Sequence, residues 1–447
     1  MSSSATLLDI LNTTIVLNRI APYLGVNGLL AVSATCSFAR ALIYDSPESF
    51  RHLDLTKTAI IDASPIDSGG IQWRKERMDE SLTEEDFFSG PLRGIFGSLR
   101  NRNLLKHVKT LLLDGLSVPA ELIREVLSDD SFNIKILSIR EVQNLNERRL
   151  QQVLHYLVRP SRAEGTPTVR ALYIFGPKDK PLAPKRKAPA APDAADNHVS
   201  SGVMSSEGAQ IGAHWNSRSE EALSSSLANH ENKWYRKQGK VVKRAPSMGW
   251  PEIIQACQGI IAFDAVLCQG PRHDPSKTSG ERFLKPAIAT IALGPKGCDS
   301  CGSCPEKPAQ FGQDPAYRFP LLAPPPMHAS TVRAAQYPTL ADGERTTTPP
   351  ALILRCEDCL RGRWCERCNR WWCEDCYEEP TSRVCAPSTD PSELESRISS
   401  LMRGSSAMGN TSNTAWLGNG SPVKVYLKLC VESCLMGEML PVADGMW

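Results

Sequence analysis

The stretch VKTLLLDGLSVPAELIREVLSDDSFNIKILSIREVQNLNERRLQQVLHYLV, Val108 to Val158, decides the fold. It contains Val108-x-x-Leu111-Leu-Leu113 and Ile134-x-x-Leu137-x-Ile139, two apolar runs too short for helices. Each is followed by a helical pattern. Pro119 stands at a favoured first-turn position of a helix reaching Leu127. Asn146 is placed to cap another that runs to about Val158. A strand followed by a helix, then the same again, predicts units stacked side by side over a shared core.

Working outward, the pattern recurs at Phe50-x-x-Leu53-Asp-Leu55 and Val169-x-x-Leu172-x-Ile174. Weaker copies are Phe263-x-x-Val266-x-Cys268 and Ile288-x-x-Ile291-x-Leu293. Spacings of 26 and 35 residues between Val108, Ile134 and Val169 fit an irregular leucine-rich-repeat-like α/β solenoid. The alternative is an ordinary α/β domain with several buried strands. The expected class is α+β multidomain: N-terminal helices at 5–50, repeat-like parts at 51–177 and 246–297, and a cysteine-rich region at 298–447.

Three stretches interrupt this plan. Residues 178–245 have no apolar period and are expected to be a long disordered insertion between repeats. Residues 305–350 carry ten prolines, and 387–422 are rich in Ser, Asn and Gly, so both are expected to be irregular. A length of 447 residues suits two or three folded units. Lys+Arg at 51 against Asp+Glu at 49 argues against a chain devoted to nucleic acid or an anionic membrane. No run approaches 18 uninterrupted apolar residues, so no membrane span is expected. The start MSSSATLLDILNTTIV lacks a basic region and a cleavage site, so cytoplasm or nucleus is the expected compartment. Pro184-Lys185-Arg186-Lys187 is similar to a short nuclear-import signal. The basic, aromatic segment at Lys233-Trp234-Tyr235-Arg236-Lys237 reads first as a solvated linker end. Walker, Rossmann and Gly-x-Ser-x-Gly motifs are lacking, so no catalysis is expected.

The first 55 residues carry Val16-Leu17-x-x-Ile20-x-x-Tyr23-Leu24, then Leu29-Leu30-x-x-Ser33-x-x-Cys36-x-x-x-Arg40-x-Leu42, then Asp45 to Phe50-Arg51-x-Leu53. So small a helical unit exposes apolar side chains unless something covers them. The pattern resembles an F-box, with Thr13-Thr14-Ile15 standing where the family opens on Leu-Pro. The resemblance implies docking to a Skp-type adaptor and through it to a cullin ubiquitin ligase, with repeats that select a protein substrate. Ile15, Leu17, Ile20, Leu24 and Leu29 are the expected adaptor face. The alternative is an unrelated helical cap on the solenoid.

Fourteen of 15 cysteines lie in the last 191 residues. In a reducing compartment such clustering reads as metal ligation rather than disulfides. Cys356-x2-Cys359-x5-Cys365-x2-Cys368-x4-Cys373-x2-Cys376 holds three Cys-x2-Cys pairs. A closed zinc site takes four ligands, so three pairs fill one site and half-fill another. Cys298, Cys301 and Cys304 upstream, and Cys430 and Cys434 downstream, can complete them. Two or three Zn2+ ions are expected. The first pairing considered is crossed, with Cys356, Cys359, Cys373 and Cys376 on one ion. Cys365 and Cys368 then join Cys298/Cys301 or Cys430/Cys434. Cys36, Cys257, Cys268 and Cys385 read as isolated thiols, and His273 as a loop residue. The run resembles a ZZ-type finger and, more loosely, a RING, without the histidines of either. Trp364, Trp371, Trp372 and Tyr377 between the ligands suit the core of a small metal-held unit, or a peptide-binding surface. Two other functions follow from the cluster: a zinc-finger peptide or chromatin reader, and a ligase engaging a ubiquitin-conjugating enzyme directly.

Overall fold

The computed structural model describes residues 6–56, 84–178, 248–278, 280–293, 297–302, 309–310, 312–321, 325–327, 330–336, 351–368, 370–377 and 423–435. Apart from Lys178, the insertion expected at 178–245 lies outside the described residues up to 247, and so does 387–422. The import-like and basic-aromatic segments fall there too.

The centre of the chain is a five-stranded parallel sheet whose strands stand in sequence order. They are β1 (His52–Asp54), β2 (Thr110–Leu112), β3 (Ile136–Ser138), β4 (Ala171–Tyr173) and β5 (Ala262–Phe263). Leu53, Leu111, Leu137, Leu172 and Phe263 share one register across the sheet. These are the middle residues of the apolar repeat, and all five sit in the main core. Strand side chains alternate faces, so one apolar residue in each strand builds a continuous inner row.

Helices cover that row. α4 (Glu84–Asn101), α5 (Ala120–Ser128), α6 (Glu147–Leu157) and α7 (Trp250–Ala256) each follow the strand before them. Asn146 caps α6 by accepting from the Arg149 N–H at 3.1 Å, as its position predicts. Leu122, Ile123 and Val126 of α5, with Leu150 and Leu154 of α6, bury their side chains in the core. At the far end Trp250 packs edge-on against Phe175, with ring centroids 5.1 Å apart.

The fifth copy of the repeat is displaced from its expected place. Phe263 pairs with Leu172, so the unit is Ile260-x-x-Phe263-x-Ala265, and Val266 and Cys268 lie beyond the strand. The sixth copy is not a repeat. β6 (Ile291–Leu293) runs antiparallel to β8 (Ala351–Arg355), with β7 (Ala309–Gln310) on the other side of β8. An antiparallel bridge between Leu267 and Ile288 has already turned the chain back. An apolar period shows that a strand is buried but not which way its neighbour runs.

The other face of the parallel sheet is covered by the protein itself. Leu321 and Ala335 pack on Ile136, Ala171 and Tyr173, and Ala335 belongs to α8 (Val332–Gln336). The Leu321 N–H donates to the Phe263 carbonyl at 2.8 Å, and Ser330 Oγ meets Thr110 Oγ1 at 3.1 Å. The described residues of the proline-rich stretch therefore reach back over the sheet.

Two buried carboxylates tie the strand ends. Asp114 accepts from Ser138 Oγ at 2.6 Å, from the Arg140 N–H at 2.8 Å and from Arg140 Nη2 at 2.6 Å. Asp264 accepts from the N–H groups of Ile174, Phe175 and Gly176. Such charges belong inside only when hydrogen-bonded this fully.

Three helices stand at the N-terminus: α1 (Leu7–Leu11), α2 (Thr14–Thr35) and α3 (Ser37–Asp45). By length and mean hydropathy α2 could cross a membrane. It is interrupted at Gly25, whose φ of 63° and ψ of 176° leave helical space. The halves, 14–24 and 26–35, are each about 16 Å long, roughly half the 30 Å hydrocarbon thickness. Leu11, Leu17, Ala21, Leu29, Ile43 and Phe50 form a small core with Leu104.

Candidate metal centres and the N-terminal apolar face

The three Cys-x2-Cys pairs of the C-terminal run each meet a different partner pair. Centre I gathers Cys268, His273, Cys356 and Cys359; centre II Cys298, Cys301, Cys373 and Cys376; centre III Cys365, Cys368, Cys430 and Cys434. Within each group the ligand atoms all lie within 4.8 Å of one another. Observed S···S distances are 3.6 Å for Cys268–Cys359, 3.8 Å for Cys301–Cys373 and 3.6 Å for Cys368–Cys430. A tetrahedron with 2.3 Å zinc–sulfur bonds has edges of about 3.8 Å, whereas a disulfide needs about 2.05 Å. Each tetrad could hold a metal ion such as zinc.

This corrects the crossed pairing. Cys356 and Cys359 do not join Cys373 and Cys376; they turn to the loop after β5. Of the two partners considered for Cys365 and Cys368, the structure brings up Cys430 and Cys434. Cys268 is not an isolated thiol, and His273 is not an idle loop residue. Cys257 does sit apart, in the main apolar core, where burial pushes its thiol up to about 12. Cys36 is exposed beside α3, with its sulfur accepting from the Ala39 N–H. Cys304 and Cys385 lie outside the described residues.

Local folding explains each half-site. In centre I, Cys268 leaves the sheet, and Pro271–His273 forms a 3-10 turn that carries the imidazole back. His273 Nδ1 lies 3.2 Å from the Leu284 carbonyl, which fixes the proton there. Nε2 is then the free ligand atom, 3.2 Å from Cys356 Sγ. The N–H groups of Gly270 and Cys359 donate to the sulfurs of Cys268 and Cys356, both at 3.4 Å. A side chain at Gly270 would strike Cys359 Sγ at 2.6 Å, so only glycine fits there.

In centre II the N–H groups of Ser300 and Cys373 donate to Cys298 Sγ at 3.4 and 3.2 Å. The Asp299 N–H also reaches the Trp371 carbonyl at 2.8 Å. In centre III a hairpin of β9 (Val425–Tyr426) and β10 (Leu429–Cys430) presents Cys430. Leu427 and Lys428 turn it with φ of 46° and 65°. Cys434 follows in a π-helical turn, Val431–Leu435, and its N–H donates to Cys430 Sγ at 3.4 Å.

Packed thiols this close resist ionising together. Neighbouring Cys268 and Cys356 push Cys359 far up, and burial followed by adjacent thiols does the same to Cys373 and Cys434. Burial alone would raise Cys268; hydrogen bonding with Cys356, Cys359 and His273 outweighs it and leaves it well below its ordinary value. Burial would lower His273, yet Cys268 and Cys356 lift it to about 10. A dication among the sulfurs reverses this logic, because a coordinating thiol gives up its proton outright.

In chain order the centres interleave. Cys298 and Cys301 fall between the halves of centre I, and Cys365 and Cys368 between the halves of centre II. Centre I joins the loop leaving the parallel sheet to the cysteine ribbon. Trp364, Trp371, Trp372 and Tyr377 are buried among the ligands, as a core would require. Arg363 is buried too, held by Glu374 at 2.7 Å and donating to the Cys359 carbonyl.

The N-terminal face divides the five residues expected to dock. Ile15 is 73% exposed and Leu24 37%, whereas Leu17 at 0% and Leu29 at 1% are core, with Ile20 packed against them. Leu17 and Leu29 cannot reach a partner without unfolding the module, because they are what α1 and α3 pack upon. Leu7, Ile10, Tyr23, Leu30 and Phe38 are exposed instead. Helical spacing finds the apolar positions but cannot say which of two apolar stripes turns inward.

Comparison with protein-family models, with characterised proteins and with solved structures finds no match for this chain.

Proposed function

We propose that the chain is a substrate-recruiting F-box subunit of a cullin-type ubiquitin ligase, acting in cytoplasm or nucleus, with a leucine-rich-repeat-like body and three structural zinc ions. The observation that carries this is the concentration of exposed large apolar side chains. Seven of the twelve among the described residues, Leu7, Ile10, Ile15, Tyr23, Leu24, Leu30 and Phe38, lie in the first three helices. Exposed apolar surface gathered on one small unit marks a partner site. The Ser33–Cys36–Arg40 run supports the same reading. Cys36 caps α3, and Arg40 Nε donates to the Ser33 carbonyl at 3.4 Å, locking the α2–α3 corner. Four protein donors at each centre favour structural over catalytic metal.

The test is binding of a purified Skp-type adaptor to the full chain. Ile15→Asp and Tyr23→Asp place charges on an exposed face, so each keeps the fold and weakens the adaptor by tenfold or more. Leu17→Asp unfolds the module. Adaptor binding that survives both surface variants overturns the assignment. A second reading, a ligase that engages a ubiquitin-conjugating enzyme directly, draws on the interleaved centres. Ubiquitin chain formation by the chain without adaptor or cullin would favour it.

A further inference from the structure

Four cations stand in a row along one edge of the parallel sheet. Arg51, Lys109, Lys135 and Arg170 each precede the first residue of a strand, and the register of β1 to β4 sets them side by side. Parallel strands lie about 4.8 Å apart, so the four backbone positions span roughly 14 Å. The row ends at β5, where Ile261 takes the place.

The backbone repeats one kink at these entries. The N–H groups of Lys109 and Thr110 both reach the Arg51 carbonyl, those of Lys135 and Ile136 the Lys109 carbonyl, and those of Arg170 and Ala171 the Lys135 carbonyl. Such a doubling is bulge-like, and bulges re-aim side chains. Val108, Ile134 and Val169 therefore join the core together with Leu111, Leu137 and Leu172, three residues on, while the cation between them stays out of it. All four cationic residues are half-buried.

Little neutralises the row. Arg51 has Glu48 at 3.8 Å in an exposed pair, and its Nε donates to Ser330 Oγ at 3.5 Å. Lys109, Lys135 and Arg170 have no ion pair or side-chain hydrogen bond among the described residues. Burial first, then the neighbouring charge of Lys135, holds Lys109 below the usual lysine range; Arg51 adds to this and Glu48 opposes it. Like charges crowded and partly withdrawn from water disfavour their own ionisation, and an anion between them reverses both effects. The covering segment does not supply it. From Ser330, beside Arg51 and Thr110, that segment crosses to Gln336, whose amide donates to the Ala316 and Phe319 carbonyls on the β5 side, away from the row.

We propose that this basic row binds a phosphoserine or phosphothreonine of a partner protein, with the phosphate seated between Lys109 and Lys135. A phosphate monoester brings nearly two charges and three acceptor oxygens, so one group meets two rungs at once, whereas a carboxylate brings a single charge. Lysine holds such a group as a point charge, without a planar fork to match. Unpaired nucleic acid would also need rings to stack on. The exposed aromatics among the described residues are Tyr23, Phe38, Tyr156, Phe283 and Tyr317, and none stands at a strand entry. A net charge of +2 gives the chain no general pull on polyanions. The inference stands on the sheet edge alone and does not depend on the N-terminal helices docking an adaptor.

The experiment uses the zinc-loaded full chain and three octapeptide pools, degenerate except for a fixed centre of phosphoserine, glutamate or serine. The phosphoserine pool binds about tenfold tighter or more than either of the others, and its phosphorus resonance moves on saturation. Lys109→Gln and Lys135→Gln each weaken that binding about tenfold, the worth of one hydrogen bond to a charged group. Both variants melt no lower than the parent chain, because each removes a like charge from the row. Arg124→Gln, the same charge change on α5, leaves binding as it was. A glutamate pool that binds as tightly as the phosphoserine pool, binding that survives both lysine changes together, no binding by any pool, or a melting point many degrees lower in both variants overturns the proposal. A mixed-sequence single-stranded oligonucleotide that outbinds the phosphoserine pool and depends on the same two lysines overturns it as well, by naming nucleic acid as the partner.

Discussion

Replacing Cys268 with serine removes a ligand that no Cys-x2-Cys motif contains. Structural zinc contributes about 10–16 kcal/mol in small zinc-held units, so one of four ligands is worth roughly 3–4 kcal/mol. That is two to three orders of magnitude in zinc affinity at centre I. The substituted hydroxyl is neutral and buried, and it leaves Cys359, 3.6 Å away, without its neighbour. Zinc per chain then falls from three to two. The loss is local, because β6 remains paired to β8 from Ile291 to Leu293 and the parallel sheet ends before the site. Amide exchange should rise in the loop from 266 to 287 and in the ribbon from 356 to 360, where Arg272 Nη1 reaches the Asp358 carbonyl at 3.0 Å. Strands β1 to β4 stay protected. His273→Ala acts alike. Cys257→Ser loses no zinc and destabilises the core by about 1–3 kcal/mol through its buried hydroxyl. Elemental analysis beside hydrogen exchange reads both quantities. Three zinc ions retained in Cys268→Ser and His273→Ala, or an exchange pattern unchanged while zinc falls, would refute the assignment of centre I.

Asp114→Ala strands the Arg140 guanidinium, which is wholly buried, and should destabilise the sheet by about 3–5 kcal/mol in chemical denaturation. A loss below about 1 kcal/mol would mean that water reaches the pair. Deleting residues 180–230, whose composition carries no apolar period, should leave the melting transition nearly unchanged. A fall of many degrees would show that the segment packs. Strong chelation should loosen the chain from about residue 266 onward, as read by limited proteolysis, and leave β1 to β4 resistant. A cysteine ribbon still resistant after chelation would show that its own core suffices.

The parallel sheet was legible because its register repeats in the sequence. Val108, Ile134 and Val169 each stand two residues before a strand, and the central leucines that follow face one core. Legibility failed where the period stayed apolar but the geometry changed. Ala262 and Phe263 form a strand of only two residues, so the more apolar trio Phe263, Val266 and Cys268 outweighed the true one. Ile288, Ile291 and Leu293 keep the spacing because an antiparallel strand also buries alternate residues. In the N-terminal helices, Leu17 and Leu24 are both apolar, and only packing against α1 and α3 distinguishes the core residue from the surface one.

The metal ligands show a different limit, one of arithmetic rather than period. Three Cys-x2-Cys pairs need six further ligands if each anchors its own tetrahedral ion. Cys298 with Cys301, and Cys430 with Cys434, supply four. The missing two had to be a Cys or His pair elsewhere, and Cys268-x4-His273 is such a pair just beyond the last strand of the repeat. A crossed pairing inside the ribbon avoided that demand by spending two pairs on one ion. The fold forbids it, because the ribbon from Cys356 to Cys376 is pinned at successive pairs by three separate segments. Cys356 and Cys359 continue β8, whose partner β6 follows the loop bearing Cys268 and His273. Strand pairing therefore delivers the histidine to the first cysteine pair. An ion held at centre I would therefore join the end of the sheet to the first pair of the ribbon.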